Sequence, residues 1–139
     1  MKVFVYGTLR KTSWNEGWME TAGGEFLCYA KTKDPKIMIA QGIPYLYDFN
    51  EMPDGTSTNY QPIGEIYEVN NIAPLDRLES NGHHYERKID KFIKLSKLDN
   101  MEGFDEYEDT SEELDAWVYY SVNQNVPTEE DFISDFLQQ

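Results

Sequence analysis

The sequence predicts a single α+β domain built mainly from short strands, and three observations predict it. At 139 residues the chain is long enough for one hydrophobic core and too short for two domains of ordinary size. Runs dense in β-branched and aromatic residues alternate with turns of Gly, Pro, Asn and Asp. Only three short stretches carry helical spacing. Ten tyrosines, seven phenylalanines and three tryptophans supply large apolar areas for the core, and no internal repeat is present.

Val3 to Tyr6 is a dense β-former run followed at once by Gly7, the pattern of a buried strand that ends in a turn. A helix over Trp14 to Thr21 would present Trp14, Trp18 and Met19, and Gly23-Gly24 would stop it before a strand from Glu25 to Lys33. Lys36 to Ala40 and Tyr45 to Phe49 read as strands around Gln41-Gly42-Ile43-Pro44, with a turn at Pro53 to Ser57. Ile63 to Val69 is another strand, with Ile63, Glu65, Tyr67 and Val69 on one face.

Asn71 to Ser80 spaces Ile72, Leu75 and Leu78 by three, which suits one side of a short helix; Pro74 falls in its first turn and Asn81-Gly82 at its end. Ile89 to Leu98 and Ala116 to Asn123 read as strands joined by an acidic loop at about 99–115, which holds nine acids in 17 residues and is expected to stay solvated. Pro127 to Asp131 resembles a helix start with Thr128 as cap, and Phe132, Ile133, Phe136 and Leu137 as its apolar face.

The formal charge of −14 is not spread evenly. Residues 1–97 hold all 12 Lys and Arg against 13 acids, whereas residues 98–139 hold 13 acids and no Lys or Arg. Such a surface repels phosphate backbones, which argues against nucleic-acid binding and leaves a basic protein partner open. Apolar stretches fall far short of the roughly 20 residues that span a membrane. One cysteine, Cys28, excludes an internal disulfide, and the apolar part of the N-terminus is too short for a secretory signal; the expected location is the cytoplasm.

Two separated segments carry the chemistry. In Val3 to Arg10 a strand breaks at Gly7, a geometry that can leave backbone N–H groups of Tyr6, Gly7, Thr8 and Leu9 converging on an anion. Leu75-Asp76-Arg77-Leu78-Glu79 then offers Glu79 as a proton carrier beside an apolar stripe. The order Tyr-Gly-Thr-Leu (6–9), Gly-x-Pro-x-Leu (42–46), Gly-Glu-x-Tyr-x-Val (64–69), Leu-Asp-x-Leu-Glu (75–79), Tyr-x-Arg (85–87) and Ala-Trp-Val-Tyr (116–119) resembles the γ-glutamylcyclotransferase-like family, in particular its γ-glutamylamine cyclotransferase and AIG2-like branch. The resemblance covers nearly the whole chain.

What the resemblance implies is a small mixed β-barrel flanked by short helices. The implied activity cyclises a small γ-glutamyl amine or γ-glutamyl peptide to 5-oxoproline and releases the free amine, as an amidine- or amide-cleaving lyase or acyltransferase working by intramolecular aminolysis. No cofactor is implied. Tyr6 to Leu9 map onto the loop that holds the substrate's α-carboxylate and Glu79 onto the general acid and base; apart from the resemblance, Tyr85 and Tyr119 are read as candidate substrate contacts through their hydroxyls. The chain departs from its relatives at Lys11-Thr12-Ser13, which lacks their glycine, at Glu16 after Asn15, and at Ser80 where they carry glycine.

Each of these residues has a plainer explanation. Alone, Glu79 is a solvated helix-end carboxylate, Gly7 a turn glycine needing positive φ, and Tyr85 and Tyr119 core or rim aromatics. Arg87 reads as a structural ion-pair partner, and Asp76 and Glu79, three apart, as carboxylates that could meet on one helix face. His83 and His84 would face opposite ways on an extended segment, so no metal site is expected, and Cys28 reads as a small buried hydrophobe. The alternative function is a catalytically silent relative whose acidic end binds a basic protein or mimics nucleic-acid phosphates.

Overall fold

Side-chain alternation along the first strand divides the interior into two layers. In the computed structural model, which describes residues 1–7, 16–41, 43–79, 82, 84–98, 106–122 and 132–135, strand β1 (Lys2–Val5) turns Phe4 into one apolar cluster, and Val3 and Val5 into another. The other elements are α1 (Glu16–Thr21), β2 (Glu25–Thr32), β3 (Met38–Gln41), β4 (Ile43–Leu46), β5 (Ile63–Glu68), α2 (Ala73–Leu78), β6 (Tyr85–Leu98) and β7 (Glu106–Ser121).

Five strands close a barrel in the order β1-β5-β2-β6-β7, and β3 and β4 form a separate two-stranded sheet. The barrel is mixed because β1 runs parallel to β7 at Val3↔Trp117 and Phe4↔Val118, while its other pairings are antiparallel. Its interior is filled by Phe4, Tyr6, Cys28, Ala30, Ile66, Phe92, Val118 and Tyr120. The outer layer joins Val3, Val5, Tyr67 and Tyr119 to Met19 and Ala22 near α1 and to Leu75 of α2. The expected small mixed β-barrel flanked by short helices is therefore the observed fold, with α1 and α2 as the helices among the described residues.

The first core layer also explains a glycine. A Cβ on Gly64 would strike the Val5 carbonyl oxygen and come within 2.7 Å of Phe4 Cζ, so only glycine lets β5 lie against β1 here.

Three expectations need correction. The acidic segment is not a loop over 99–115: residues 106–115 belong to β7 and pair with β6 out to Leu98↔Glu106. Charge matching is the physical reason, since Lys31 meets Asp109 at 3.0 Å, Lys33 meets Glu113 at 2.7 Å, Lys91 meets Asp115 at 3.1 Å and Lys94 meets Glu112 at 3.6 Å. A bulge lies in this ribbon, where Ser111 takes a φ of 62° and its N–H donates to Asp109 Oδ1 at 2.7 Å.

Phe132–Asp135 is not helical. Phe132 bridges Ile39, the Ile133 N–H donates to the Met38 carbonyl, and the Ser134 carbonyl accepts from Ile63, so unpaired strand-edge groups win over helical periodicity; Thr128, Phe136 and Leu137 lie outside the described residues. The β3–β4 hairpin is also displaced from its expected bounds, because pairing continues to Gln41↔Ile43 and places Pro44 within β4. Of the face expected for the first helix, Met19 is buried and Trp18 is exposed, while Trp14 lies outside the described residues.

Phe4 is fully buried and stacks on Phe92 with ring centroids 4.3 Å apart. Truncation by Phe4→Ala is expected to cost about 3–5 kcal/mol of stability, measured by urea denaturation.

Candidate active site

Helix α2 is too short to be stable by itself, so its placement comes from what it touches. Pro74 occupies its first turn, where a missing N–H costs nothing, and the Ala73 N–H donates to Asn71 Oδ1 at 3.1 Å. The stripe of Ile72, Leu75 and Leu78 packs on the barrel wall, with Leu75 fully buried in the layer containing Val3 and Val5. Glu79 follows as the C-terminal cap residue, its N–H donating to the Leu75 carbonyl at 2.9 Å.

This position half-buries the Glu79 side chain. Burial penalises the charged form and raises its pKa from the ordinary value to about 7. Among the described residues, a tyrosine just after β1 and tyrosines of β6 and β7 feel its charge. Burial first, and then neighbouring groups that include the Glu79 carboxylate, raise the hydroxyls of Tyr6, Tyr85 and Tyr119. The charge of Glu79 thus reaches the hydroxyl of Tyr6, the residue between β1 and Gly7.

Each tyrosine is held in place. The Tyr6 hydroxyl donates to the Tyr119 carbonyl at 2.6 Å, so its ring is turned into the barrel. Tyr85 lies parallel to Tyr45, with centroids 6.3 Å apart, and its hydroxyl reaches the Pro44 carbonyl at 3.5 Å. Tyr119 donates to Asp76 Oδ1 at 2.6 Å, and Arg87 Nε lies 3.3 Å from the same oxygen. Asp76 therefore does not meet Glu79 as a paired carboxylate, and Arg87 takes the ion-pair position the sequence pointed to.

Gly7 is a glycine for a reason other than the one expected. It is not among the described glycines with positive φ, which are Gly23, Gly55 and Gly82. A Cβ would instead fall within 2.9 Å of Pro44 Cδ and closer still to Cγ. Strand β4 thus packs on both Gly7 and Tyr85, through Pro44 on the first and Tyr45 on the second. Pro44 and Tyr45 were not singled out as site residues, although the spacing of their segment from Tyr6-Gly7 was visible. Thr8 and Leu9 lie outside the described residues, as do Ser80 and His83.

No group of three or more metal-ligating side chains and no helix long and apolar enough to cross a membrane occurs among the described residues. Cys28 is buried in the barrel interior, which raises its thiol pKa.

The family model described as gamma-glutamyl cyclotransferase, AIG2-like matches residues 3–135. The chain belongs to this family. A candidate gamma-glutamylcyclotransferase of Methanocaldococcus jannaschii is 30% identical over 121 residues, covering 85% of this chain and 82% of the archaeal one. The gamma-glutamylcyclotransferase family protein YtfP of Escherichia coli is 32% identical over 93 residues, covering 64% of this chain and 71% of its own. The crystal structure of an AIG2-like protein from Mus musculus superposes with a TM-score of 0.66 at 24% identity, over 91% of this chain and 79% of that one. An uncharacterised Pyrococcus horikoshii protein shares the fold with a TM-score of 0.56 at 17% identity, over 98% of this chain and 89% of that one. Family membership supports a γ-glutamylcyclotransferase-like activity.

The raised Glu79 pKa has a consequence for stability. A carboxyl whose folded pKa exceeds its unfolded one binds its proton more tightly when folded; its stabilising contribution is present below the unfolded pKa and lost as pH rises through about 7. Glu79→Gln, which cannot ionise, is expected to melt above the wild type at pH 8 and level with it near pH 4, in thermal scans at both values.

Proposed function

We propose that the protein cyclises a small γ-glutamyl amine or γ-glutamyl peptide to 5-oxoproline and releases the free amine. Glu79 acts as general acid and base, and the backbone amides of Gly7 to Leu9 clamp the substrate's α-carboxylate. The observation that carries this reading is the half-buried Glu79 with a pKa raised to about 7, whose charge reaches the hydroxyls of Tyr6, Tyr85 and Tyr119.

The reaction balances within one molecule. The α-ammonium gives one proton to Glu79 and its nitrogen attacks the γ-carbonyl carbon; as the amide bond to the leaving nitrogen breaks, Glu79 passes that proton to the departing amine, and the second proton shed by the attacking nitrogen follows by the same route, so the amine leaves as its ammonium. Nucleophile and electrophile are already tethered, so orientation supplies much of the rate: well-oriented intramolecular reactions reach effective molarities of about 10⁵–10⁸ M. The proton is the remaining obstacle. Free α-amino groups titrate near about 8, so a carboxyl raised to about 7 can accept that proton and return it without a steep energetic step in either direction.

Tyr85 is read as a wall of the substrate pocket, and its stack on Tyr45 supports that role. The alternative of a silent acidic module draws no support from the ribbon, since Asp109, Glu112, Glu113 and Asp115 are matched by lysines of the same chain.

Incubation with γ-glutamyl-ε-lysine and a panel of γ-glutamyl dipeptides, followed by 5-oxoproline quantification, tests the proposal. Turnover of at least one compound is expected, with Glu79→Gln reducing kcat by about 10²–10⁴-fold. No turnover across the panel, or full activity in Glu79→Gln, overturns it.

A further inference from the structure

We infer that Asp76, gripped from the barrel wall by Tyr119 and Arg87, is a positioning residue that fixes the rotation of α2 and thereby the place of the Glu79 carboxylate. The inference rests on the reading of Glu79 as the proton carrier. It also assigns Tyr119 a role other than the substrate contact expected of it.

The grip is built on a matched pair of strand positions. Arg87 and Tyr119 are direct cross-strand partners on β6 and β7, and both reach Asp76 Oδ1, at 3.3 Å and 2.6 Å. Arg87 is itself supported from below, its guanidinium carbon lying 4.5 Å over the Trp117 ring. Trp117 is two residues before Tyr119 and so shares its face of β7.

Spacing then transmits the grip to Glu79. From Asp76 to Glu79 the helix advances three residues, about 4.5 Å along its axis. From Arg87 to Tyr85 the strand advances two, about 6.6 Å. The middle of α2 is thereby registered on Arg87 and Tyr119, while Glu79 at its C-terminal cap acts through its charge on the Tyr85 hydroxyl.

Apolar packing alone would not do this. Burial of Leu75 holds α2 down on the barrel, but hydrophobic contact is non-directional and tolerates rotation about the helix axis. Each residue of an α-helix turns by about 100°, so a modest rotation swings Glu79 towards water. The charge-assisted bond to Asp76 is short and directional, and it opposes that rotation. The single proton of the Tyr119 hydroxyl is donated to Asp76, which leaves that oxygen only acceptor capacity towards a substrate.

The titratable groups that interact with the Glu79 charge among the described residues are Tyr6, which follows β1, Tyr85 of β6 and Tyr119 of β7; α2 itself carries Asp76 and Arg77. None of these tyrosines ionises in the range where Glu79 does, because burial raises all three hydroxyls.

Carbon-detected NMR titration of the Glu79 side-chain carboxyl tests the inference without a substrate. It is run on the wild type, Tyr119→Phe, Asp76→Asn and the core control Phe92→Leu, each checked for a dispersed, folded spectrum. The expected wild-type midpoint is about 7. Tyr119→Phe and Asp76→Asn should lower it by about one unit or more as water reaches the carboxylate, whereas Phe92→Leu should lower stability and leave the midpoint in place.

Midpoints in Tyr119→Phe and Asp76→Asn within about 0.2 unit of a raised wild-type value overturn the inference alone. A wild-type midpoint in the ordinary carboxylate range overturns the proton-carrier reading as well. Should Asp76→Asn fail to fold, Tyr119→Phe decides, because it keeps the ring and removes only the hydroxyl. With a turned-over substrate in hand, Tyr119→Phe should lower kcat by about tenfold or more with little change in KM, as expected for a misplaced proton carrier.

Discussion

The partial burial of one carboxylate at the end of a six-residue helix is the constraint on which the site depends. A glutamate in that position would ordinarily point into solvent and stay ionised at neutral pH. Here the helix is laid against the barrel by Leu75 and oriented by Asp76, and the hydroxyls of Tyr6, Tyr85 and Tyr119 feel the charge of the carboxylate. The barrel therefore acts on more than its own strands: burial against its outer face raises the pKa of a carboxyl that belongs to none of them.

Strand alternation links this arrangement to the core. The same four-residue strand supplies Phe4 to the barrel interior, and Val3 and Val5 to the layer beneath α2. Tyr119 follows the same rule on β7, facing outward between Val118 and Tyr120, which face inward. A one-residue slip in either strand would exchange the two layers and carry Tyr119 away from Asp76. Register thus connects the stability of the barrel to the geometry of the proposed acid and base.

Much of this was legible in the sequence, because the relevant signals are local. The Val3 to Tyr6 run and the three-residue spacing of Ile72, Leu75 and Leu78 each specify an element and its buried face without reference to partners. Glu79 is nominated because it sits beside that stripe and ends the Leu-Asp-x-Leu-Glu motif. What escaped depends on contacts between distant segments. Acids at 106–115 read as solvated loop because the lysines that neutralise them lie on β2 and β6. Phe132–Asp135 read as helix because the free edge of β3 is invisible to periodicity. Gly7 read as a turn glycine because its actual neighbour, Pro44, comes from another sheet. Tyr119 read as a substrate contact because only the folded chain reveals that its proton goes to Asp76.

The most direct test of the central claim is a crystal structure of the protein soaked with 5-oxoproline, the compound the proposed reaction would form. The account expects the product's carboxylate against the backbone of the Gly7 turn and its lactam group within about 2.6–3.2 Å of a Glu79 oxygen. Product bound elsewhere on the barrel, with Glu79 turned towards solvent, would contradict it.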